Sequence, residues 1–180
     1  MRRALAAVAL VVGLAGCRSA ASPGPTSASL AVDGRATLVR VVDGDTIVVS
    51  VAGRDERVRL IGIDTPESVK PGSAVECFGK EASGHLAWLL PQGTRVRLVG
   101  DVEQRDRYGR LLAYVYREAD DLFVNAAMAR DGFAEPLTIP PNIAHTTELT
   151  AAARSAREGG RGLWAACTGE APASTRAPPR

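Results

Sequence analysis

A chain of 180 residues with 46% hydrophobic content is long enough to bury one core without relying on a metal or a set of cross-links. Its formal charge of +2 resides in Arg2 and Arg3, since 22 Lys and Arg less those two leaves 20, against 20 Asp and Glu. So even a balance excludes a generally basic, non-specific nucleic-acid coat, and any phosphate binding has to come from a local cluster of cations.

Arg2-Arg3 and the apolar run from Ala4 to Leu14 read as the charged and hydrophobic parts of an export signal, too short for a stable membrane-spanning helix. The ending Leu14-Ala15-Gly16-Cys17 resembles a bacterial lipobox. That resemblance implies that residues 1–17 are a lipoprotein signal peptide, with Cys17 lipidated and the protein held on the extracytoplasmic face of the cell membrane by its lipid alone. A plain secretory signal is the alternative, and either one implies export. Residues 18–35, rich in Ser, Ala, Pro and Gly, read as a flexible tether, and residues 168–180, with three prolines and no apolar cluster, as a disordered tail. The folded domain is expected over 36–167.

Within it, the Val-rich runs Ala36 to Val42 and Thr46 to Val51 flank Asp43-Gly44, a strong hairpin signal. Asp55 to Ile63 reads as a third strand and Ala74 to Leu90 as a helix stopped by Pro91-Gln92-Gly93. Two further strands follow at Thr94 to Val99 and Arg110 to Tyr116, then helices at Leu122 to Arg130 and at Thr146 to Glu158, the latter closed by Gly159-Gly160. This order gives an α+β fold, a five-stranded OB-type β-barrel with one helix after strand 3 and two C-terminal helices.

Chemistry concentrates in three segments. The strand end Val58-Arg59-Leu60-Ile61-Gly62-Ile63-Asp64-Thr65-Pro66-Glu67 brackets an apolar core with one arginine and two carboxylates, more ionic character than a strand end tolerates without a partner. Arg59 is suited to grip a phosphate, Asp64 to hold a hard cation, and Glu67 to accept a proton from water. Asp45 starts a strand where no turn needs it, so Asp45 and Asp64 are candidates to share one Ca²⁺ with a carbonyl and waters, whereas Asp43 reads as a simple turn cap. Asp106-Arg107-Tyr108-Gly109-Arg110, alone a charged loop, would add cations on the far side of a phosphorus.

Together, Val42-Asp43-Gly44-Asp45-Thr46, Arg59-Leu60 through Asp64-Thr65-Pro66-Glu67, and Asp106-Arg107-Tyr108-Gly109-Arg110 with Leu111 to Tyr116 resemble the staphylococcal nuclease (thermonuclease) family. Weaker agreement runs through Phe78 to Ser83, Pro141-Asn142 with His145, and Gly162-Leu163-Trp164, so the resemblance covers about Leu38 to Trp164. It implies that Asp45, Asp64 and the Thr65 carbonyl bind Ca²⁺, that Arg59, Glu67 and Arg110 are catalytic, and that Arg107 and Tyr108 contact a substrate phosphate. It further implies an endonuclease that hydrolyses DNA and RNA to 3′-phosphate products; a monomer acting on single-stranded or locally melted substrate is expected. A non-catalytic OB-type nucleic-acid binding lipoprotein is the rival reading, opposed by the intact Arg59, Glu67 and Arg110. An envelope scaffold would leave the acid–arginine cluster without purpose. Leu137 and Ile139 stand where the family carries two base-lining tyrosines, and Pro91-Gln92-Gly93 lacks its lysine pair.

Strict alternation places Arg59 and Asp64 on opposite strand faces, so a bend near Gly62 is required to turn both to one site. Trp88 and Trp164 are expected in the core, and His85 and His145 as partly exposed structural residues. With Cys17 consumed by lipidation, Cys77 and Cys167 remain in an oxidising compartment and are expected to form a disulfide.

Overall fold

The computed structural model describes residues 34–68 and 75–167. The expected signal peptide, the expected lipidation at Cys17, and nearly all of the expected tether and tail lie outside the described residues. Strands β1 (Gly34–Asp43), β2 (Thr46–Val51) and β3 (Arg54–Leu60) form an antiparallel meander, followed by the two-residue β4 (Ile63–Asp64) and helix α1 (Gly79–Leu89). Then come β5 (Arg95–Val99), β6 (Leu111–Arg117), β7 (Leu122–Phe123), α2 (Val124–Arg130), β8 (Glu135–Pro136), α3 (Thr146–Glu158) and the single turn α4 (Leu163–Ala166).

The sheet runs β3-β2-β1-β5-β6-β7, and a parallel pairing of β3 with β6 closes its first five strands into a barrel. Closure removes the exposed edges that an open sheet would leave. Bulges in β1 between Leu38 and Arg40 and between Val41 and Asp43 add the coiling that a small barrel needs. Inward positions alternate as Ile47 and Val49 in β2, Val58 and Leu60 in β3, Val96 and Leu98 in β5, and Leu111, Ala113 and Val115 in β6, all buried.

Helix α1 buries Gly79, Ala82, Leu86 and Leu89, a single face at helical spacing, to plug the barrel. Each such large apolar side chain contributes about 1.5–3 kcal/mol by leaving water. Trp88 falls one position off that face and is 71% exposed, so it is not the core residue expected from its size. Trp164 is half-buried under the Arg157 guanidinium, 4.1 Å from the ring centre. His85 and His145 are half-buried, each bonded to a neighbouring acid, Asp131 and Glu148.

Four boundaries differ from the sequence reading by two residues or more. β1 begins two residues early because Gly34 and Arg35 pair with Leu98 and Arg97 of β5. The expected third strand breaks after Leu60, since Ile61-Gly62 forms a turn before β4. Helix α1 starts at Gly79, because Cys77 and Phe78 form a turn instead of helix. Leu122 and Phe123 pair with Arg117 and Tyr116 before α2 begins, which trims that helix to seven residues.

The fully buried Asn125 ties the barrel to α2. Its carbonyl accepts from the Val115 amide at 2.9 Å, and its amide donates to the Ile61 carbonyl at 2.8 Å. Ile61 leaves the β3 ladder at this point, so Asn125 satisfies a carbonyl that would otherwise be buried without a partner. A disulfide joins Cys77, just before α1, to Cys167, just after α4.

Candidate active site

The site forms at one barrel end, where β2 begins, β3 ends and the 106–110 loop enters β6. Thr46 pairs with Arg59 and Arg59 with Leu112, which sets three strands side by side beneath the site. Arg59 Nη1 lies 2.8 Å from Asp45 Oδ2, and its Nη2 lies 2.8 Å from Asp64 Oδ1. Nη1 also donates to the Leu60 carbonyl at 3.3 Å. Hydrogen bonds thus use one Nη1–H and one Nη2–H, and the Nε side of the guanidinium is free to meet a phosphate oxygen.

Gly62 makes this arrangement possible. At φ +80° it turns the chain between Leu60 and Ile63, so that Arg59 and Asp64 meet despite strand alternation. A Cβ there would stand 2.3 Å from Leu149 Cδ1, so the position excludes a side chain on two grounds. The Asp45 carboxylate is fixed from other sides as well: Thr46 Oγ1 donates to Oδ1 at 2.9 Å, and the Thr65 amide and hydroxyl each approach Oδ2 at 3.3 Å. The structure thus brings the amide and hydroxyl of Thr65, the residue expected to offer its carbonyl, onto Asp45.

Glu67 lies next to this pair, and Asp43 has a second role there. Asp43 caps its turn as expected, accepting from the Gly44 amide at 2.9 Å, but Oδ1 also accepts from Ser68 Oγ at 2.6 Å, and its carboxyl hydrogen-bonds that of Glu67. That shared hydrogen bond, then burial and the negative charges of Asp43, Asp45 and Glu76, push the Glu67 carboxyl up to about 7. Glu76 bonds the Glu67 backbone, its carboxylate accepting from the Glu67 amide at 2.9 Å. Gly79 packs so closely on that segment that a Cβ would lie 2.6 Å from the Glu67 carbonyl oxygen.

Arg110 sits on the neighbouring loop, organised by Asp106. The Asp106 carboxylate accepts from the amides of Tyr108 and Arg110 and from Arg110 Nε at 2.6 Å, leaving the outer guanidinium nitrogens of Arg110 open. Tyr108 is exposed, with the guanidinium carbons of Arg107 and Arg110 at 4.8 and 5.5 Å from its ring centre. Across the site, β8 pairs with β4 (Ile63 with Pro136, Asp64 with Glu135), and the Leu137 amide donates to the Gly62 carbonyl at 2.9 Å. Leu137 therefore lies opposite Gly62, and Ile139, two residues further on, is exposed.

The donor set suits a hard cation. Although over half of the Asp64 side-chain surface meets solvent, the protein crowded round it raises its carboxyl; Arg59 opposes this, while Asp45 and Glu76 add to it. Five carboxylates (Asp43, Asp45, Asp64, Glu67 and Glu76) interact here around the single arginine Arg59, an excess of negative charge that a divalent ion would offset. Among the described residues no group of three acidic, histidine or cysteine side chains is placed to hold a metal ion. A cation held by Asp45 and Asp64 would complete its shell from backbone carbonyl and water, as Ca²⁺ does readily and a thiophilic metal does not.

The sequence reading missed Glu76 and Asn125 and underrated Asp43. The first two lie in stretches read as helices, where nothing marks one polar residue as reaching a distant segment, and Asp43 satisfied a turn so well that nothing hinted at a second contact.

Fold and site together define a closed OB-type barrel with an acid–arginine centre at one end. Residues 57–166 match the family described as Staphylococcal nuclease homologue. The thermonuclease of Staphylococcus intermedius is 44% identical over 134 residues, covering 74% of this chain and 78% of the relative. That of Staphylococcus hyicus is 39% identical over 127 residues, covering 71% and 73%. The endonuclease YncB of Bacillus subtilis is 34% identical over 129 residues, covering 71% and 60%. The chain belongs to the staphylococcal nuclease homologue family.

Proposed function

We propose that this chain, a phosphodiester-hydrolysing nuclease of its family, is a Ca²⁺-dependent endonuclease that cleaves DNA and RNA to 3′-phosphate products outside the cell, tethered through lipid on Cys17. The observation that carries the catalytic reading is Arg59 clamped between Asp45 and Asp64 with Glu67 on the same barrel end. A hard divalent cation, when bound, supplies positive charge facing the phosphoryl oxygens. Asp45 and Asp64, with the Thr65 carbonyl, would hold it.

The chain's own residues do the rest. Glu67, deprotonated above about pH 7, accepts a proton as a water oxygen attacks phosphorus. The bond from phosphorus to the 5′ oxygen then breaks, the leaving oxygen takes a proton from solvent, and a 3′-phosphate and a 5′-hydroxyl remain. Arg59 offers its free edge and Arg110 its outer nitrogens to equatorial oxygens that gain charge in the transition state, where each such donor is worth most. Arg107 and Tyr108 would contact a further phosphate. The Cys77–Cys167 disulfide supports export, because such bonds persist in oxidising compartments.

Incubating purified protein with plasmid and with single-stranded DNA, in Ca²⁺ or in EGTA, tests this directly. Strand breaks with 3′-phosphate ends in Ca²⁺ and none in EGTA are expected. Binding without breaks in either would leave a non-catalytic nucleic-acid binding protein instead. Mass spectrometry of the membrane fraction reads the lipid on Cys17, and an unmodified mature N-terminus there would reject the tether.

A further inference from the structure

We infer that Arg57 forms an additional phosphate subsite, one nucleotide step from the scissile position, for an anionic single strand. The inference rests on the nuclease reading above. Arg57 and Arg59 are two apart in β3, so they project from the same face of the strand, about 6.6 Å apart along it. That is close to one step of an extended nucleic-acid strand. Strand pairing agrees, because Arg59 lies opposite Leu112 and Val58 opposite Leu111 in the parallel ladder, which puts Arg110 beside the Arg57 end of β3.

The two arginines share a cleft. An open pocket of about 340 Å³ is lined by Arg57, Tyr108, Gly109 and Arg110. One wall is thus the phosphate-facing Arg110, another the exposed ring of Tyr108, and a third Arg57. Arg110 is partly neutralised by Asp106, and next to the cleft Arg105 is paired with Glu56. Arg57 has no carboxylate partner among the described residues, and Arg107 at the rim bonds only the Tyr108 hydroxyl, at 2.6 Å. Exposed arginines without acids occur elsewhere, as at Arg54, but Arg54 does not line this cleft.

A pocket walled by cations and one aromatic face suits a phosphodiester with its base against the ring, the combination that single-strand binders use without reading sequence. It also gives a protein of balanced charge a way to hold a polyanion, through a local group of cations instead of a generally basic surface. Arg107 and Tyr108 were expected to contact a phosphate; Arg57 extends that track along β3 and makes occupancy depend on strand length.

The test compares Arg57→Ala, Arg57→Lys and Arg54→Ala with wild type, using a thymidine decamer and the dinucleotide TpT. Dissociation constants are measured in EGTA, and kcat and KM in Ca²⁺. Arg57→Ala is expected to weaken decamer binding roughly tenfold, at least five times more than it weakens TpT binding, with the effect in KM and not kcat. The slope of log affinity against log salt should fall by about 0.7, one single-strand phosphate contact. Arg57→Lys should recover part of the loss, and Arg54→Ala, on the opposite strand face, should show none of it. Equal losses on both ligands, or an equal loss in Arg54→Ala, would overturn the subsite and leave the nuclease reading intact. Length-dependent loss of binding in a protein that cuts neither ligand in Ca²⁺ would keep the subsite and overturn the nuclease reading.

Discussion

The backbone of Glu67 is hydrogen-bonded in both directions by Glu76: the Glu67 amide donates to the Glu76 carboxylate at 2.9 Å, and the Glu67 carbonyl accepts from the Glu76 amide at 3.0 Å. Glu76 directly precedes Cys77, which is held in the disulfide to Cys167. Glu67, the proposed base, is therefore aimed by a residue nine positions away.

Removing the Glu76 carboxylate should act through this aim. Glu76→Ala is expected to lower kcat about 10- to 100-fold, since small misplacements of a reacting group cost that much, with KM changed less than threefold. Glu67→Gln should cost at least as much, and Glu76→Ala added to it should cost little more. Steady-state kinetics of the double variant check this; additive losses would mean that Glu76 acts on its own.

The elevated Glu67 carboxyl sets a pH signature. Because its folded value of about 7 exceeds the ordinary 4.5, the folded state holds a proton that the unfolded chain has already released in that window. Stability without added divalent cation should therefore fall as pH rises from about 4.5 to about 7, and this part should be gone in Asp43→Asn, which removes the shared proton and one repelling charge. The difference in Tm between wild type and variant, followed against pH, measures it. The acid limb of the kcat/KM profile should shift to lower pH in the same variant.

The Cys77–Cys167 disulfide spans 90 residues and fastens the segment bearing Glu76 to the C-terminal turn. Opening it should cost about 3–5 kcal/mol in the chain-entropy account. Cys77→Ser with Cys167→Ser should lower the denaturant midpoint and also reduce kcat below the temperature at which the fold is lost, because Glu76 loses its anchor. A kcat unchanged in the folded double variant would show that the cross-link serves stability alone.

Gly62→Ala should be among the most damaging changes outside the ionised residues. It imposes a left-handed backbone on alanine and pushes a methyl group into Leu149. The expected loss is on the order of 3 kcal/mol, with Ca²⁺ affinity falling as Asp64 swings away from Asp45. Urea unfolding and calorimetric titration with Ca²⁺ read the two effects separately.

The sequence by itself carried the local features: the Asp43-Gly44 hairpin, the alternating barrel strands, and the three short segments holding Asp45, Arg59, Asp64, Glu67 and Arg110. Each of these is set by steric and hydrophobic preferences acting over a few residues, so each leaves a periodic or turn signal. Tertiary structure decided how they meet. Alternation alone kept Arg59 and Asp64 apart until the turn at Gly62, packed on Leu149, brought them within 2.8 Å. Asp43 acquired its contact with Glu67 across 24 residues, Asn125 reached Ile61 across 64, and Trp88 was left in solvent by the helical phase that α1 needed to cover the barrel. Such pairings are selected by burial and by the need to satisfy polar groups once the chain is compact, and those forces act between residues that share no pattern along the sequence.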